Sequence, residues 1–155
     1  MGKTYLLVNP TKREYINPDL FGEGYQWDYV LTGPYCVLAL KRLIADPPMG
    51  TSAIDGRWTG DPVILPAGWG GEDNLHDHAQ ANYTDISSLA VASLCDNKNV
   101  LEELLNKAVE SDSFFVRLCD ALVEHLPGLM RERQFTTMLG TDWGKRYQEI
   151  IRRRT

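Results

Sequence analysis

Two histidines, His76 and His78, stand one residue apart in the acidic stretch GEDNLHDHAQANY, which runs from Gly71 to Tyr83. On a strand, side chains two residues apart point to the same side, so both imidazoles could bind one metal ion. A catalytic zinc takes three protein ligands and leaves one position open. Asp77 or Asp85 could complete the set. The pattern admits a metal-dependent hydrolase that uses zinc or another divalent ion and a metal-bound water as nucleophile.

The same stretch also has the composition of a surface loop. Asn74, Asp77, Asn82 and the pair Gly70–Gly71 are residue types that favour turns. No second motif at a metal-ligand spacing supports the histidine pair, although its imidazoles could also form a pH-sensitive contact. We therefore interpret the stretch as a loop at the rim of a binding surface, and we expect no resident cofactor.

No other catalytic motif stands out in the sequence. There is no G-x-S-x-G nucleophile elbow and no glycine-rich phosphate loop. The cysteines, in apolar surroundings without a C-x-x-C pair, predict free buried thiols and not reactive thiolates. Serines that could join a histidine and an aspartate exist, but no pattern selects one of them. The cysteines are Cys36, Cys95 and Cys119, and the serines are Ser87, Ser88, Ser93 and Ser113.

Aromatic residues and one arginine suggest a binding surface instead. Arg57, Trp58 and Trp69 flank the apolar run PVILPAG, and Tyr83 follows the histidine stretch. Tryptophan and arginine are enriched at the energetic centres of protein interfaces. The aromatic segment 25–31 could add to the same end of the molecule. The alternative is that both tryptophan rings cap the hydrophobic core.

Charge and hydropathy narrow the class of protein. The net charge of −5 disfavours a nucleic-acid binder, which normally carries a basic stripe, and suggests another protein as the partner. The three arginines from Arg152 to Arg154 fit a helix C-terminus, where cations are favourable. No signal peptide opens the chain and no apolar run approaches the roughly 20 residues that span a membrane. We expect a protein of the cytoplasm, or of a host cytoplasm.

The pattern of elements predicts one α+β domain over residues 1–155, with a sheet-rich half (1–86) and a helical half (87–155). KTYLLVNP and REYI predict a β-hairpin in a small, mainly antiparallel sheet, and YQWDYVL and PVILPAG predict further strands, the latter central. YTDIS is either one more short strand or the approach to a helix cap. PYCVLALKRLIAD predicts one helix packed on the sheet.

Helical periodicity dominates the second half. NVLEELLNKAVE and SFFVRLCDALVEHL each carry one apolar face, and Asp112 or Ser113 could cap the second of these helices. GLMRERQFTTML predicts a further helix. TDWGKRYQEIIRRR places Trp143 and Tyr147 on one stripe, through which the chain could form a homodimer if nothing else covers it.

Two stretches resemble a widespread group of small proteins without an assigned activity. MGKTYLLVNPTKREYINPDLFGEG matches their opening strand–K-R-E-Y–strand and P-x-x-F-G-x-G pattern, and GRWTGDPVILPAG matches their later G-x-W-x-G-D-x-V strand. The resemblance implies a shared domain and no catalytic residue. In that group the loop after the later strand is shorter, so Trp69 and the histidine stretch are an elaboration of this chain.

The sequence thus predicts a small, soluble, non-catalytic binding protein, of the kind found as accessory, immunity or phage-type regulatory factors. Its candidate binding residues are Arg57, Trp58, Trp69 and Tyr83. The alternative is the metal-dependent hydrolase with His76, His78, Asp77 and Asp85. A nucleic-acid mimic is less favoured, because the carboxylates are interspersed with lysines and arginines.

Overall fold

A computed structural model of the chain describes residues 4–21, 34–68, 74–108, 111–125 and 140–154. It confirms the predicted α+β class, with short strands in the first half and helices through the described part of the second. The strands are β1 (Thr4–Tyr5), β2 (Leu7–Asn9), β3 (Glu14–Ile16), β4 (Ala67–Gly68) and β5 (Thr84–Asp85). A 3-10 turn spans Pro18–Phe21, and the α-helices are α1 (Pro34–Ile44), α2 (Leu75–Asn82), α3 (Ser87–Leu94), α4 (Lys98–Lys107), α5 (Asp112–His125) and α6 (Thr141–Arg154).

The predicted hairpin is present as β2 and β3, which pair antiparallel with Val8 opposite Tyr15. The Asn9 side chain stabilises the turn by accepting a hydrogen bond from the backbone N–H of Lys12 at 3.0 Å. Arg13 closes the turn in the left-handed region, with φ of 56°. Strand β5 adds to β3 in parallel, so the first of the two alternatives for YTDIS, a short strand, is present and the three-stranded sheet is mixed.

The run PVILPAG is not the central strand that its apolar composition predicts. Ile64 forms an isolated bridge with Val8 and is 42% exposed, and only Ala67–Gly68 continue as a strand, paired with β1. Pro62 and Pro66 flank the bridge, and neither can donate a backbone hydrogen bond to a ladder. The prolines therefore restrict the run to two short pairings, one with β2 of the hairpin and one with β1.

The helical predictions are confirmed wherever the structure describes them. Helix α5 differs at its start, because the hydroxyl of Ser111 accepts from the N–H of Phe114 at 3.1 Å. Ser111 is therefore the cap, one residue before the predicted candidates Asp112 and Ser113. The predicted strand in 25–31 and the predicted helix in GLMRERQFTTML lie outside the described residues.

The main core lies between the sheet and the helices. Helix α3 packs chiefly against α5, and Trp58 and Phe115 are fully buried members of this core. Trp143 of α6 stacks on Phe115 with ring centroids 5.7 Å apart, so at least part of the C-terminal stripe is covered within the chain. A smaller cluster joins the other face of the hairpin to α2. The structure describes no helix long and apolar enough to cross a membrane.

The connection after α1 depends on a glycine. Gly56 has φ of +73°, a conformation that costs an L-residue roughly 1–2 kcal/mol, and its N–H donates to the carbonyl of Arg42 at 2.9 Å. A Cβ at this position would also come within 2.7 Å of the Pro48 ring. Gly60, with φ of +83°, has open space where its Cβ would go.

We therefore predict that Gly56→Ala destabilises the protein more than Gly60→Ala does. The Gly60 variant suffers only backbone strain, of roughly 1 kcal/mol. The Gly56 variant adds a collision with Pro48, for a total loss of about 2–3 kcal/mol. Urea unfolding of the two variants and the wild type measures both values. Equal losses for the two variants would contradict the packing at Pro48.

Candidate functional site

Residues Leu75–Asn82 of the histidine stretch form a helix, so the prediction of a loop is wrong there. The Asn74 side chain caps α2 by accepting a hydrogen bond from the N–H of His76 at 2.9 Å. Ala79, one turn later, is buried against Leu6 and Val8 of the hairpin. The cap and this apolar contact fix the segment as a helix, which the polar composition concealed.

Helical geometry separates the two imidazoles. Residues two apart on a helix differ by about 200° in direction. His76 is buried and its Nδ1 lies 3.0 Å from the Asp77 carboxylate, whereas His78 is exposed and packs edge-on against Tyr83. Asp85 accepts hydrogen bonds from the backbone and hydroxyl of Ser87. The described residues contain no group of three or more histidine, cysteine or carboxylate side chains placed to hold a metal, and this arrangement does not support the metal-centre hypothesis.

Arg57 and Trp58 point inward, toward one buried carboxylate. Both oxygens of Glu14 on β3 accept from the Nε of Arg57, at 3.0 and 3.1 Å, and Arg57 Nη2 donates to the same group. The indole N–H of the fully buried Trp58 donates to Glu14 at 2.9 Å. Burial raises the pKa of Glu14, but the hydrogen bonds from Arg57 and Trp58 outweigh burial and hold it below its usual value.

A second contact joins the same two segments. Asn9, which is fully buried, donates to the Asp61 carboxylate at 3.0 Å, and the Lys12 ammonium lies 3.2 Å from that carboxylate. The residues that carry the resemblance, in KREY and GRWTGD, therefore bind one another. These contacts pack residues 57–61 on the hairpin.

The structure describes only some of the residues that were expected to form an aromatic surface. Trp69 lies outside the described residues. Tyr83 is half-buried beside α2, with the Arg13 guanidinium 5.5 Å from its ring centre. Trp58 is fully buried, and Arg57, whose side chain is 35% exposed, binds Glu14. Trp58 follows the alternative prediction, in which the ring belongs to the core.

The sequence reasoning missed a cleft of about 620 Å³ between the loop at 51–53 and the helices α3, α4 and α5. Its walls are largely apolar, and its rim carries hydroxyl, imidazole, carboxylate and ammonium groups. The lining residues are Thr51, Ser52, Ala53, Leu89, Ala92, Ser93, Cys95, Asp96, Lys98, Leu101, Leu122 and His125. They come from segments that are distant in sequence, so no local motif reveals the cleft.

Arg42, at the end of α1, fixes one wall of this cleft. Its Nε and Nη2 donate to the two oxygens of Asp55, each at 3.0 Å, and Nη1 donates to the carbonyl of Ser93 at 3.1 Å. The same guanidinium binds Asp96 and the hydroxyl of Ser52. Hydrogen bonds from Arg42 hold the pKa of Asp55 well below its usual range, against the opposing effect of burial. One planar cation thus ties the loop to the end of α3.

A local sequence signal for this wall does exist. Ser52-Ala-Ile-Asp55 has the S-x-x-D spacing of a capping box, in which the later side chain reaches back to the earlier N–H. Asp55 accepts from the N–H of Ser52 at 2.8 Å and from its hydroxyl. The signal identifies a fixed turn. It does not show that the turn borders a cleft, because that depends on α3 and α5.

The cleft also contains two groups with conceivable chemistry. His125 Nε2 lies 3.1 Å from the hydroxyl of Ser88, which is a serine–histidine contact. The nearest described carboxylate, Glu124, lies 3.7 Å from that same nitrogen, whereas a catalytic acid would orient the ring through Nδ1. Burial raises the pKa of the Cys95 thiol to about 12, which keeps it protonated and unreactive.

Comparison with known proteins gave no match to a family model, to a curated protein or to a solved structure. The interpretation of the cleft therefore depends on its own geometry. The resemblance in the two motifs stays a prediction.

We predict that Glu14→Gln lowers the free energy of unfolding by about 2 kcal/mol at neutral pH, because a charged acceptor with several donors is replaced by a neutral amide. A carboxyl group whose folded pKa is depressed stabilises the protein above its unfolded pKa, and this stability is lost as the pH falls through the folded pKa. The wild type should therefore lose more stability than the variant from about pH 5 downwards.

Urea unfolding at several pH values measures both effects. Glu102→Gln, at an exposed position on α4, is the matched control and should leave the stability nearly unchanged. A Glu14→Gln variant as stable as this control would contradict the role of the buried carboxylate.

We predict that Arg42→Lys lowers the free energy of unfolding by about 2 kcal/mol although it preserves the charge. A lysine cannot reproduce the planar fork that serves Asp55, Asp96 and the carbonyl of Ser93 together. Lys41→Arg, on the exposed neighbouring position, is the matched control. Thermal and urea unfolding should separate the two variants, and hydrogen exchange at the amides of Ser52 and Asp55 should accelerate only in Arg42→Lys. Unchanged exchange at those amides would contradict the role of Arg42 in holding the loop.

Proposed function

We propose that this chain is a small, non-catalytic binding protein and that the α3–α4–α5 cleft is its binding surface. The observation that carries the proposal is the combination of a cleft of about 620 Å³, apolar walls and a polar rim. Clefts of this size with few convergent polar groups are the usual form of a binding site. We favour this cleft over the surface predicted at Arg57 and Trp58, because both of those side chains bind Glu14.

The chemistry of the rim supports binding over catalysis. The serine–histidine contact has its carboxylate at the nitrogen that faces the serine, so Glu124 cannot orient His125 as a triad acid does. The thiol of Cys95 is held protonated by burial. The hydroxyl of Ser52 is already bound to Asp55 and Arg42. These groups can fix the orientation of a bound group without reacting with it.

We propose that the partner is another protein. The lining residues Thr51, Ala53, Asp96 and Lys98 are exposed, so the cleft opens to solvent and can receive an anchor from a larger surface. Interfaces gain most of their affinity from a few side chains that fill such pockets. The net charge of −5 favours a partner with a basic surface, because complementary charge speeds encounter and selects partners.

Substitution at one exposed alanine tests this proposal. Ala53 lines the cleft, and Ala53→Trp should fill it with little loss of stability, because the position is exposed. Ala81→Trp is the matched control, since Ala81 is an exposed alanine on α2 and does not line the cleft. We expect the wild type and Ala81→Trp to retain the same protein from an extract of the native host, and Ala53→Trp to retain at least tenfold less of it.

Quantitative mass spectrometry of the captured material measures the difference. Circular dichroism and thermal unfolding of both variants establish that each is folded. If no protein is retained specifically by the wild type, or if Ala53→Trp retains it as well as Ala81→Trp does, the cleft is not the binding surface.

A further inference from the structure

We infer that the partner's anchor is an apolar side chain that lies next to a lysine or arginine, with the apolar group in the cleft and the cation at the acidic part of the rim. This inference rests on the proposed function and names the chemistry of its partner. It is carried by two separate features of the cleft, the composition of its walls and the distribution of its charges.

The apolar walls of the cleft favour an apolar side chain as the group that enters it. Leu89 and Ala92 of α3, Leu101 of α4 and Leu122 of α5 converge on the same space from three helices. Removing apolar surface from water contributes roughly 25 cal/mol per Å², so a branched or aromatic side chain is the group that gains most here. All three helices also contribute buried side chains to the main core, which makes the walls of the cleft rigid and the pocket preformed.

The charges of the rim favour a lysine or arginine next to that apolar side chain. Arg42 binds both Asp55 and Asp96, so one positive charge is shared by two carboxylates and the set keeps a net negative charge. The side chain of Asp96 is 57% exposed and that of Glu124 is 66% exposed. Asp96 lines the cleft, and the Glu124 carboxylate lies 3.7 Å from His125, which also lines it. A cation bound beside the apolar anchor would meet these two carboxylates.

One lining residue opposes this attraction. Lys98 is the lysine at the rim, in the first turn of α4, and no ion pair with it is present among the described residues. Its side chain is exposed and can turn away from a bound cation. Removing its charge should therefore strengthen the binding of a basic partner. Removing a carboxylate from the rim should weaken that binding, so the two kinds of substitution are expected to change the affinity in opposite directions.

Three blocked tripeptides serve as the probes: acetyl-Leu-Phe-Arg amide and its analogues that end in Gln and in Glu. Each carries the same apolar part and differs in one charge. Titrations followed by the amide resonances of Ala92, Ser93 and Leu122 measure the dissociation constants at the cleft. We expect the Arg peptide to bind at least fivefold more tightly than the Glu peptide at low salt, with the Gln peptide between them.

Changes in salt concentration and single substitutions separate the contribution of charge to peptide affinity from the contribution of shape. Raising the ionic strength from about 0.05 M to about 0.5 M should reduce the difference between the Arg and Glu peptides, because exposed charges are screened. Asp96→Asn and Glu124→Gln should each weaken the Arg peptide about two- to fivefold. Lys98→Gln should strengthen it by a similar factor. Asp77→Asn, which removes a carboxylate of similar exposure on α2, is the matched control and should change nothing.

The outcomes distinguish the inference from the proposed function. Three peptides that bind equally at the cleft, and are all displaced by Ala53→Trp, would overturn the charge selection and leave the cleft as a binding surface. Tighter binding of the Glu peptide, or no binding of any peptide to the wild type, would overturn the inference. The capture experiment with Ala53→Trp and Ala81→Trp decides the proposed function independently of all three peptides.

Discussion

The buried carboxylate of Glu14 is the interaction on which the arrangement of the first half depends. An ionised carboxylate can be removed from water only if donors replace the lost hydration, and Arg57 and Trp58 supply them. Satisfying Glu14 places the ring of Trp58 in the core and draws residues 57–61 onto the hairpin. The contact of Asn9 with Asp61 repeats the same constraint on the paired strand, where Asn9 lies opposite Glu14.

Arg42 organises the other end of the molecule in a comparable way. It joins the end of α1 to the loop that contains Ser52 and Asp55 and to the end of α3, and this loop and α3 line the cleft. The charged groups near the cleft therefore have two roles. Asp55 is almost fully buried and fixes the wall, whereas Asp96 and Glu124 are exposed and face solvent. A binding function is compatible with this division, because Asp55 is buried in its pairing with Arg42, whereas the carboxylates of Glu124 and of Asp96, which Arg42 also binds, remain exposed.

The candidate site lies in the helical half, so the two stretches that carry the sequence motifs, KREY and GRWTGD, have a different role from the one expected of them. KREY and GRWTGD were the most distinctive residues in the sequence, and the structure uses them to hold the hairpin and residues 57–61 together. The acidic histidine stretch, equally distinctive, forms a capped helix whose buried side packs on the hairpin. Residues that draw attention in a sequence by composition can thus be committed to packing, and less distinctive residues such as Ala53, Ala92 and Leu122 can line the open site.

The sequence by itself determined the elements whose causes are local. Apolar periodicity predicted the helices that the structure places at 34–44, 98–107, 112–125 and 141–154. The runs of β-forming residues on either side of the turn NPTK predicted the β2–β3 hairpin. Local polarity misled at Leu75–Asn82, where an Asn74 cap and the buried Ala79 outweigh the composition of a loop. Only the tertiary structure decided which polar groups are internal and where the cleft lies. Those properties depend on pairs far apart in the chain, such as Glu14 with Arg57 and Arg42 with Asp96, and no spacing within one segment encodes them.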